Sequence, residues 1–369
     1  MNILVVIYHV ANIYSELTAW YYNETPFHQA GVVETAIFAY FHQFVAAYTM
    51  GLLFLIAGYF VPSAFDKKGA ATFIKDRLVR LGVPFLIYSL VICPFILYVM
   101  MPFKNGRVHL WESLVKYVTE SVILYYGSGP LWFALALLIF SIAYALFRVV
   151  LAPEAKKRDK GFPKFFQILL LILLIGGCTF LVRIILPMDM AEKPDILNMR
   201  MCHFSQYITL FVVGIQCRRG NWLEKLSYKT GRAWLIGGLS LGTILYAVIM
   251  ISGGAAEDFT PFIGGVTWQS AALSMWETFV GVSMSIGLIA LFKEKFNWQN
   301  KLVKTMSDNA FSVYVFHPPI ITALALLFAP VNMIPFAKFV ALAIVSVPVC
   351  FLITQFTVRK VPFLRKIFA

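Results

Sequence analysis

The chain has 369 residues, 60% hydrophobic and only 13% charged; 31 lysines and arginines against 18 aspartates and glutamates leave a net charge of +13. Soluble globular domains run at about 45–50% apolar and about 25% charged, so the composition excludes a water-soluble fold and makes the bilayer the solvent for most of the chain. The five cysteines, Cys93, Cys178, Cys202, Cys217 and Cys350, are scattered without a CxxC spacing, which supports neither a disulfide framework nor a metal site.

Apolar runs bounded by charge or turn residues predict about ten membrane spans, at 1–14, 41–61, 81–101, 131–150, 165–186, 203–217, 233–251, 268–292, 310–328 and 336–358. The expected fold class is therefore all-α, a polytopic integral membrane protein with one transmembrane domain over 1–369. Between the third and fourth spans, Leu110, Trp111, Leu114, Val115, Val118 and Val122 recur at helical spacing. Lys116 and Glu120 lie off that stripe, which reads as a helix lying in the interface rather than a further span. The first span reaches only about 21 Å against a hydrocarbon core of about 30 Å. With no lysine or arginine ahead of it, it lacks the basic region of a cleaved signal peptide. Either the helix runs on towards Trp20, or the chain starts inside a longer first helix, and the second reading is preferred.

Positive charge sets the expected orientation, because basic connections stay in the cytoplasm. The 2–3 connection holds Lys67, Lys68, Lys75, Arg77 and Arg80, and the 4–5 connection Arg148, Lys156, Lys157, Arg158, Lys160 and Lys164. The 6–7 connection holds Arg218, Arg219, Lys225, Lys229 and Arg232, the 8–9 connection Lys293, Lys295, Lys301 and Lys304, and the tail Arg359, Lys360, Arg365 and Lys366. The opposite face has only Lys104, Arg107, Lys116, Arg183, Lys193, Arg200 and Lys338. Both termini are thus expected inside, and the basic balance is a signature of topology rather than of nucleic-acid binding.

Ionisable groups at membrane depth cost several kcal/mol unless paired or facing a polar cavity, so each is a functional candidate. His9 lies within the first span, and His317 about 10 Å above the expected inner end of the ninth. The two imidazoles are expected at similar depth on different helices. His42 and His203 fall at the outer ends of their spans, with His28 and His109 in outer connections. Glu277, about nine residues into the eighth span, is either functional or a structural partner for Arg183 or Gln206. His317 precedes Pro318-Pro319, which free carbonyls in the helix, and its ring is either functional or satisfies one of them. His9 has no obvious local partner, and an imidazole titrating near pH 6.5 suits proton transfer. Arg77 and Arg80 stand one helical turn apart, as a fork for phosphate or as inner-face anchors. Trp132-Phe133, after Gly127-Ser128-Gly129-Pro130, would ordinarily be interfacial anchors.

Several stretches, in order, resemble one family. They are Tyr8-His9; Gly58-Tyr59-Phe60; the run 73–84 carrying Lys75, Asp76, Arg77, Arg80 and Pro84; Gly129-Pro130-Leu131-Trp132-Phe133; and the run 311–320 carrying Tyr314 and His317-Pro318-Pro319. Together they resemble the acyltransferase 3 family of membrane O-acyltransferases, the 2–3 segment most resembling the branch of glucan biosynthesis protein C. The resemblance implies transfer of an acyl group, acetyl or succinyl, from cytoplasmic acyl-coenzyme A to a hydroxyl of an extracytoplasmic glucan or other saccharide, in a bacterial inner membrane. It implies His9 as catalytic base and Arg77 and Arg80 as acyl-coenzyme A-binding residues, with acyl-CoA a co-substrate and no further cofactor or metal. His317, Glu277, Tyr314 and Trp132 are the supporting candidates; Tyr314, Trp132 or His317 would supply a donor to the thioester oxyanion. Family members usually carry a short charged stretch with an arginine before the first span, which this chain lacks; hence the preferred reading of its start. Two alternatives stay open. A transporter or flippase of a polar or saccharide substrate predicts flux independent of acyl donor, and a membrane scaffold or sensor predicts tolerance of His9→Ala.

Overall fold

The computed structural model describes residues 1–15, 17, 20–24, 31–101, 110–119, 123, 127–151, 161–188 and 196–368. His28, Lys104, Arg107, His109, Glu120, Val122, Lys156, Lys157, Arg158, Lys160 and Lys193 lie outside the described residues. Among the described residues all regular structure is helical: α1 (Asn2–Ser15), α2 (Val32–Lys68), α3 (Ala70–Met100), α4 (Leu110–Thr119), α5 (Trp132–Val150), α6 (Phe165–Ile185), α7 (Phe204–Gly220), α8 (Trp222–Lys225), α9 (Tyr228–Ser252), α10 (Thr260–Ile263), α11 (Trp268–Lys295), α12 (Lys301–Phe328), α13 (Pro335–Phe356) and α14 (Pro362–Phe368).

Among the described residues eight helices, α2, α3, α5, α6, α9, α11, α12 and α13, are long and apolar enough to cross a membrane. Their outer surfaces fit that solvent. On α6, Phe165, Phe166, Leu170, Leu173, Leu174 and Leu181 all stand exposed, a continuous apolar face that a water-soluble monomer rarely tolerates. The expected first and sixth spans fall on shorter helices, α1 with 14 residues and α7 with 17. α1 stops at Ser15, so the helix does not run on to Trp20.

Two boundaries moved in a way that matters. The second helix begins at Val32, well before the expected start at 41, so His42 is not at an outer end but nearly three turns inside and buried. The ninth expected span is the distal part of α12, which starts at Lys301. Polar and charged residues hid both extensions, because they sit on helix ends outside the apolar window. The expected interfacial helix exists as α4, but its anchor is Tyr117, buried and donating to the Ser89 carbonyl at 2.7 Å, while Val115 and Val118 stand exposed.

α3 contains three widened turns, Leu78–Gly82, Tyr88–Ile92 and Ile96–Met100, in which the backbone N–H reaches back five residues. Pro84 and Pro94 follow the first two. A proline supplies no N–H and its ring crowds the carbonyl four residues back, and a wider turn makes room for that carbonyl.

Helix contacts are made close by small residues, as expected where lipid offers no hydrophobic drive for association. α2 and α7 run parallel, Gln206 meeting Ala47 at one end and Arg218 meeting Ser63 at the other, and they approach closely between: a Cβ on Gly58 would lie 2.1 Å from the Phe211 carbonyl oxygen, and one on Gly214 would lie 2.0 Å from that of Leu55. α1 and α12 also run parallel. The Asn2 side chain donates to the Ala310 carbonyl, and seven residues further on, on both helices, His9 meets His317.

Candidate active site

His317 explains how the site is assembled. Pro318 cannot donate to the Tyr314 carbonyl four residues back, and the His317 ring takes its place: Nδ1 lies 2.9 Å from the Tyr314 oxygen and 3.2 Å from that of Val313. Carbonyl oxygens only accept, so the His317 proton is assigned to Nδ1, leaving a lone pair on Nε2. That Nε2 lies 2.9 Å from His9 Nδ1. His9 Nδ1 is then the donor, and His9 Nε2 carries a lone pair. His317 is fully buried, whereas His9 is half-buried. The His317 ring therefore satisfies the freed carbonyl, and doing so fixes the tautomer of the pair.

Trp20 covers His9. The chain after α1 folds back along it, with the Glu24 N–H on the Ile13 carbonyl at 2.9 Å and the Asn23 amide on that of Asn12 at 3.0 Å. This return lays the indole on the His9 imidazole at 4.2 Å between centroids and 19° between planes, while the His317 ring lies 4.9 Å from His9 at 21° and 6.4 Å from the indole. Trp20 Nε1 is buried without a partner, which is costly for a donor unless a ligand atom meets it. The next residue, Tyr21, shares a 2.7 Å hydrogen bond with Tyr88 of α3. Both hydroxyls press on Gly129, where a Cβ would lie 2.3 Å from Tyr21 Oη and 2.7 Å from Tyr88 Oη; its φ of +43° also favours glycine. The Tyr314 hydroxyl donates to the adjacent Pro130 carbonyl. The Gly129-Pro130 turn is thus clamped between the Trp20–Tyr21 return and α12.

The other candidates lie elsewhere. Glu277 belongs to a separate buried cluster: it pairs with Arg183, and its Oε1 accepts from His203 Nδ1 at 2.7 Å. Of the two structural partners considered for it, Arg183 is the one present, while Gln206 donates to the Ala47 carbonyl. Trp132 packs its ring on Phe54, Phe133, Phe204 and Tyr207. Arg77 is half-buried with its guanidinium 5.1 Å from the Phe73 ring centroid, and Arg80 is exposed, inside the first widened turn of α3, which begins just after Arg77. Neither meets a carboxylate among the described residues. His42 bonds Asn12 at 2.5 Å through Nε2 and the Phe38 carbonyl at 2.8 Å through Nδ1. With Nδ1 donating, a neutral ring needs the Asn12 amide turned to present its N–H.

Sequence reasoning missed Trp20, Tyr21 and Tyr88. A tryptophan just beyond a short apolar helix, followed by Tyr21 and Tyr22, is the available signal, but only the folded-back return places its ring on His9.

These features define a class: a multi-pass helical membrane protein with a paired imidazole beneath a covering indole. Residues 3–355 match the family described as the acyltransferase domain, and the chain belongs to that family. Among curated proteins it is similar to glucans biosynthesis protein C of Shigella dysenteriae serotype 1 (strain Sd197), of Escherichia coli (strain K12) and of Escherichia coli O9:H4 (strain HS). Each is 22% identical over 333 residues, covering 87% of this chain and 79% of the relative. No solved structure matches. The protein is an acyltransferase of a membrane.

Proposed function

We propose that this enzyme transfers an acyl group from acyl-coenzyme A, bound at the inner face, to a hydroxyl of a saccharide presented from outside, with His9 as general base. The observation that carries this reading is the His9–His317 pair, whose tautomers leave one lone pair on a half-buried ring. The acceptor O–H gives its proton to His9 Nε2 as its oxygen attacks the thioester carbonyl. The imidazolium so formed keeps its Nδ1–H on the lone pair of His317. The tetrahedral intermediate collapses by breaking the C–S bond, and the proton on His9 passes to the departing thiolate. General base catalysis of this kind contributes about 10²–10⁴-fold.

Of the donors considered for the oxyanion, the Tyr314 hydroxyl is engaged with Pro130 and the His317 Nδ1–H with its own helix, while the Trp132 ring packs among Phe54, Phe133, Phe204 and Tyr207. Trp20 Nε1 is the unpartnered donor beside His9 and takes that role. Similarity to proteins named for glucan biosynthesis makes a glucan of the cell envelope the leading acceptor, and a bacterial inner membrane with both termini inside the expected setting.

Mass spectrometry of envelope glycans with and without the gene tests this reading. An acetyl or succinyl increment that requires the gene supports it, and identical glycan masses overturn it.

A further inference from the structure

At the end of the bundle that carries Arg77 and Arg80, three helices that run the same way close on arginines and aromatic rings. Arg148 lies in the last turn of α5, and Arg218 and Arg219 in the last turn of α7. The last turns of α2 bring Tyr59, Ser63, Phe65 and Asp66 to the same place: Arg218 Nε donates to Ser63 Oγ at 2.7 Å, and Arg148 Nη1 to Asp66 Oδ1 at 3.0 Å. Two guanidiniums converge on one oxygen, since Arg148 Nη1 donates to Tyr144 Oη at 2.8 Å and Arg219 Nη2 donates to it at 3.0 Å. With both lone pairs taken, the Tyr144 hydroxyl hydrogen remains to donate. Arg219 Nε is buried and has no partner.

Among the described residues the carboxylate that pairs with this cluster is Asp66, whose side chain is 54% exposed. Arg148 is held 5.1 Å from the Phe65 ring, Phe65 lies 5.6 Å from Phe73, and Phe73 carries Arg77 at 5.1 Å. The cluster is therefore continuous with the first of the arginines on α3. Rigid, convergent N–H and O–H donors with a buried Arg219 Nε–H left unmatched are the chemistry of an oxyanion seat, and planar guanidiniums suit phosphate best.

We propose that Arg148, Arg219 and Tyr144 form a seat for a phosphate group of the coenzyme A donor, with Arg77 next along the same path; this rests on the acyl-coenzyme A reading above. A phospholipid headgroup presents the same phosphate chemistry, and the test separates the two.

The full chain, in nanodiscs of phosphatidylcholine alone, is titrated with coenzyme A by calorimetry. A charged hydrogen bond is worth enough that Arg219→Gln lowers affinity about tenfold or more, and Tyr144→Phe about fivefold. Lys229→Gln, an exposed lysine at the start of α9, changes it less than about twofold. Arg219→Lys, which keeps the charge and loses the fork, falls between and carries the test should the glutamine variant not fold. Coenzyme A binding that none of the Arg219 and Tyr144 variants weakens overturns the seat while leaving the donor reading in place. No binding of coenzyme A by the unaltered chain overturns both. Phosphatidylglycerol retained by the unaltered chain and lost by Arg219→Gln in native mass spectrometry, with coenzyme A affinity unchanged, assigns the phosphate to lipid and overturns the proposal.

Discussion

Glu277→Gln separates a structural carboxylate from a catalytic one. Arg183 is completely buried, and the Glu277 side chain is 5% exposed. The pair ties α6 to α11, Arg183 also reaches Ser274 at 3.2 Å, and Glu277 holds His203 at the start of α7. Removing one partner of such a pair leaves a buried charge uncompensated and costs about 3–5 kcal/mol, whereas replacing both by apolar groups of similar volume is often neutral. That energy corresponds to a fall of roughly 150- to 5000-fold in the ratio of folded to unfolded protein. Glu277→Gln is therefore expected to melt well below the unaltered chain in detergent, followed by loss of the monodisperse elution peak. Arg183→Met and Glu277→Leu should each destabilise alone, while the double variant recovers most of the loss, giving a large coupling energy in that double-mutant cycle. A Glu277→Gln protein that melts with the unaltered chain yet transfers no acyl group would refute this reasoning and move Glu277 into the reaction.

Three further outcomes follow from the geometry. Trp20→Phe keeps the stack on His9 and removes the N–H, so turnover should fall about 10²–10³-fold with KM nearly unchanged; equal turnover in steady-state kinetics removes Trp20 from the oxyanion role. His317→Ala takes away the acceptor that fixes the His9 tautomer, so turnover should fall and the pH–rate profile move, where a purely structural histidine would lower melting and leave the profile in place. Gly58→Ala forces a methyl against the Phe211 carbonyl and should destabilise the chain by about 1–3 kcal/mol, while Gly177→Ala, with nothing within 4 Å, should leave thermal melting unchanged.

The helical class, and most helix positions, could be read from apolar runs alone, because a span must satisfy its own backbone and present apolar side chains to lipid. Helix ends were less legible: the first turns of α2 and α12 carry Glu34, Lys301 and Lys304, which look like connections when hydropathy is the only guide. His9 and His317 could be singled out as ionisable residues in apolar surroundings. Their meeting could not, because it depends on the register of two parallel helices that share no local signal. The same limit hid the convergence of Arg148 and Arg219 on Tyr144, which read as inner-face charge on separate connections. It also hid Trp20, whose ring reaches His9 only through the return after α1. Glu277 shows the opposite case, since Arg183 could be named as its partner from the need to neutralise a carboxylate at that depth.

The central claim rests on the free lone pair of one ring in α1. It is tested most directly by the release of free coenzyme A thiol from acyl-coenzyme A in the presence of acceptor, comparing the purified chain with His9→Ala. The account predicts a rate about 10²–10⁴-fold lower with coenzyme A affinity and melting unchanged. A rate within about threefold of the unaltered enzyme, well short of the loss of a general base, contradicts it.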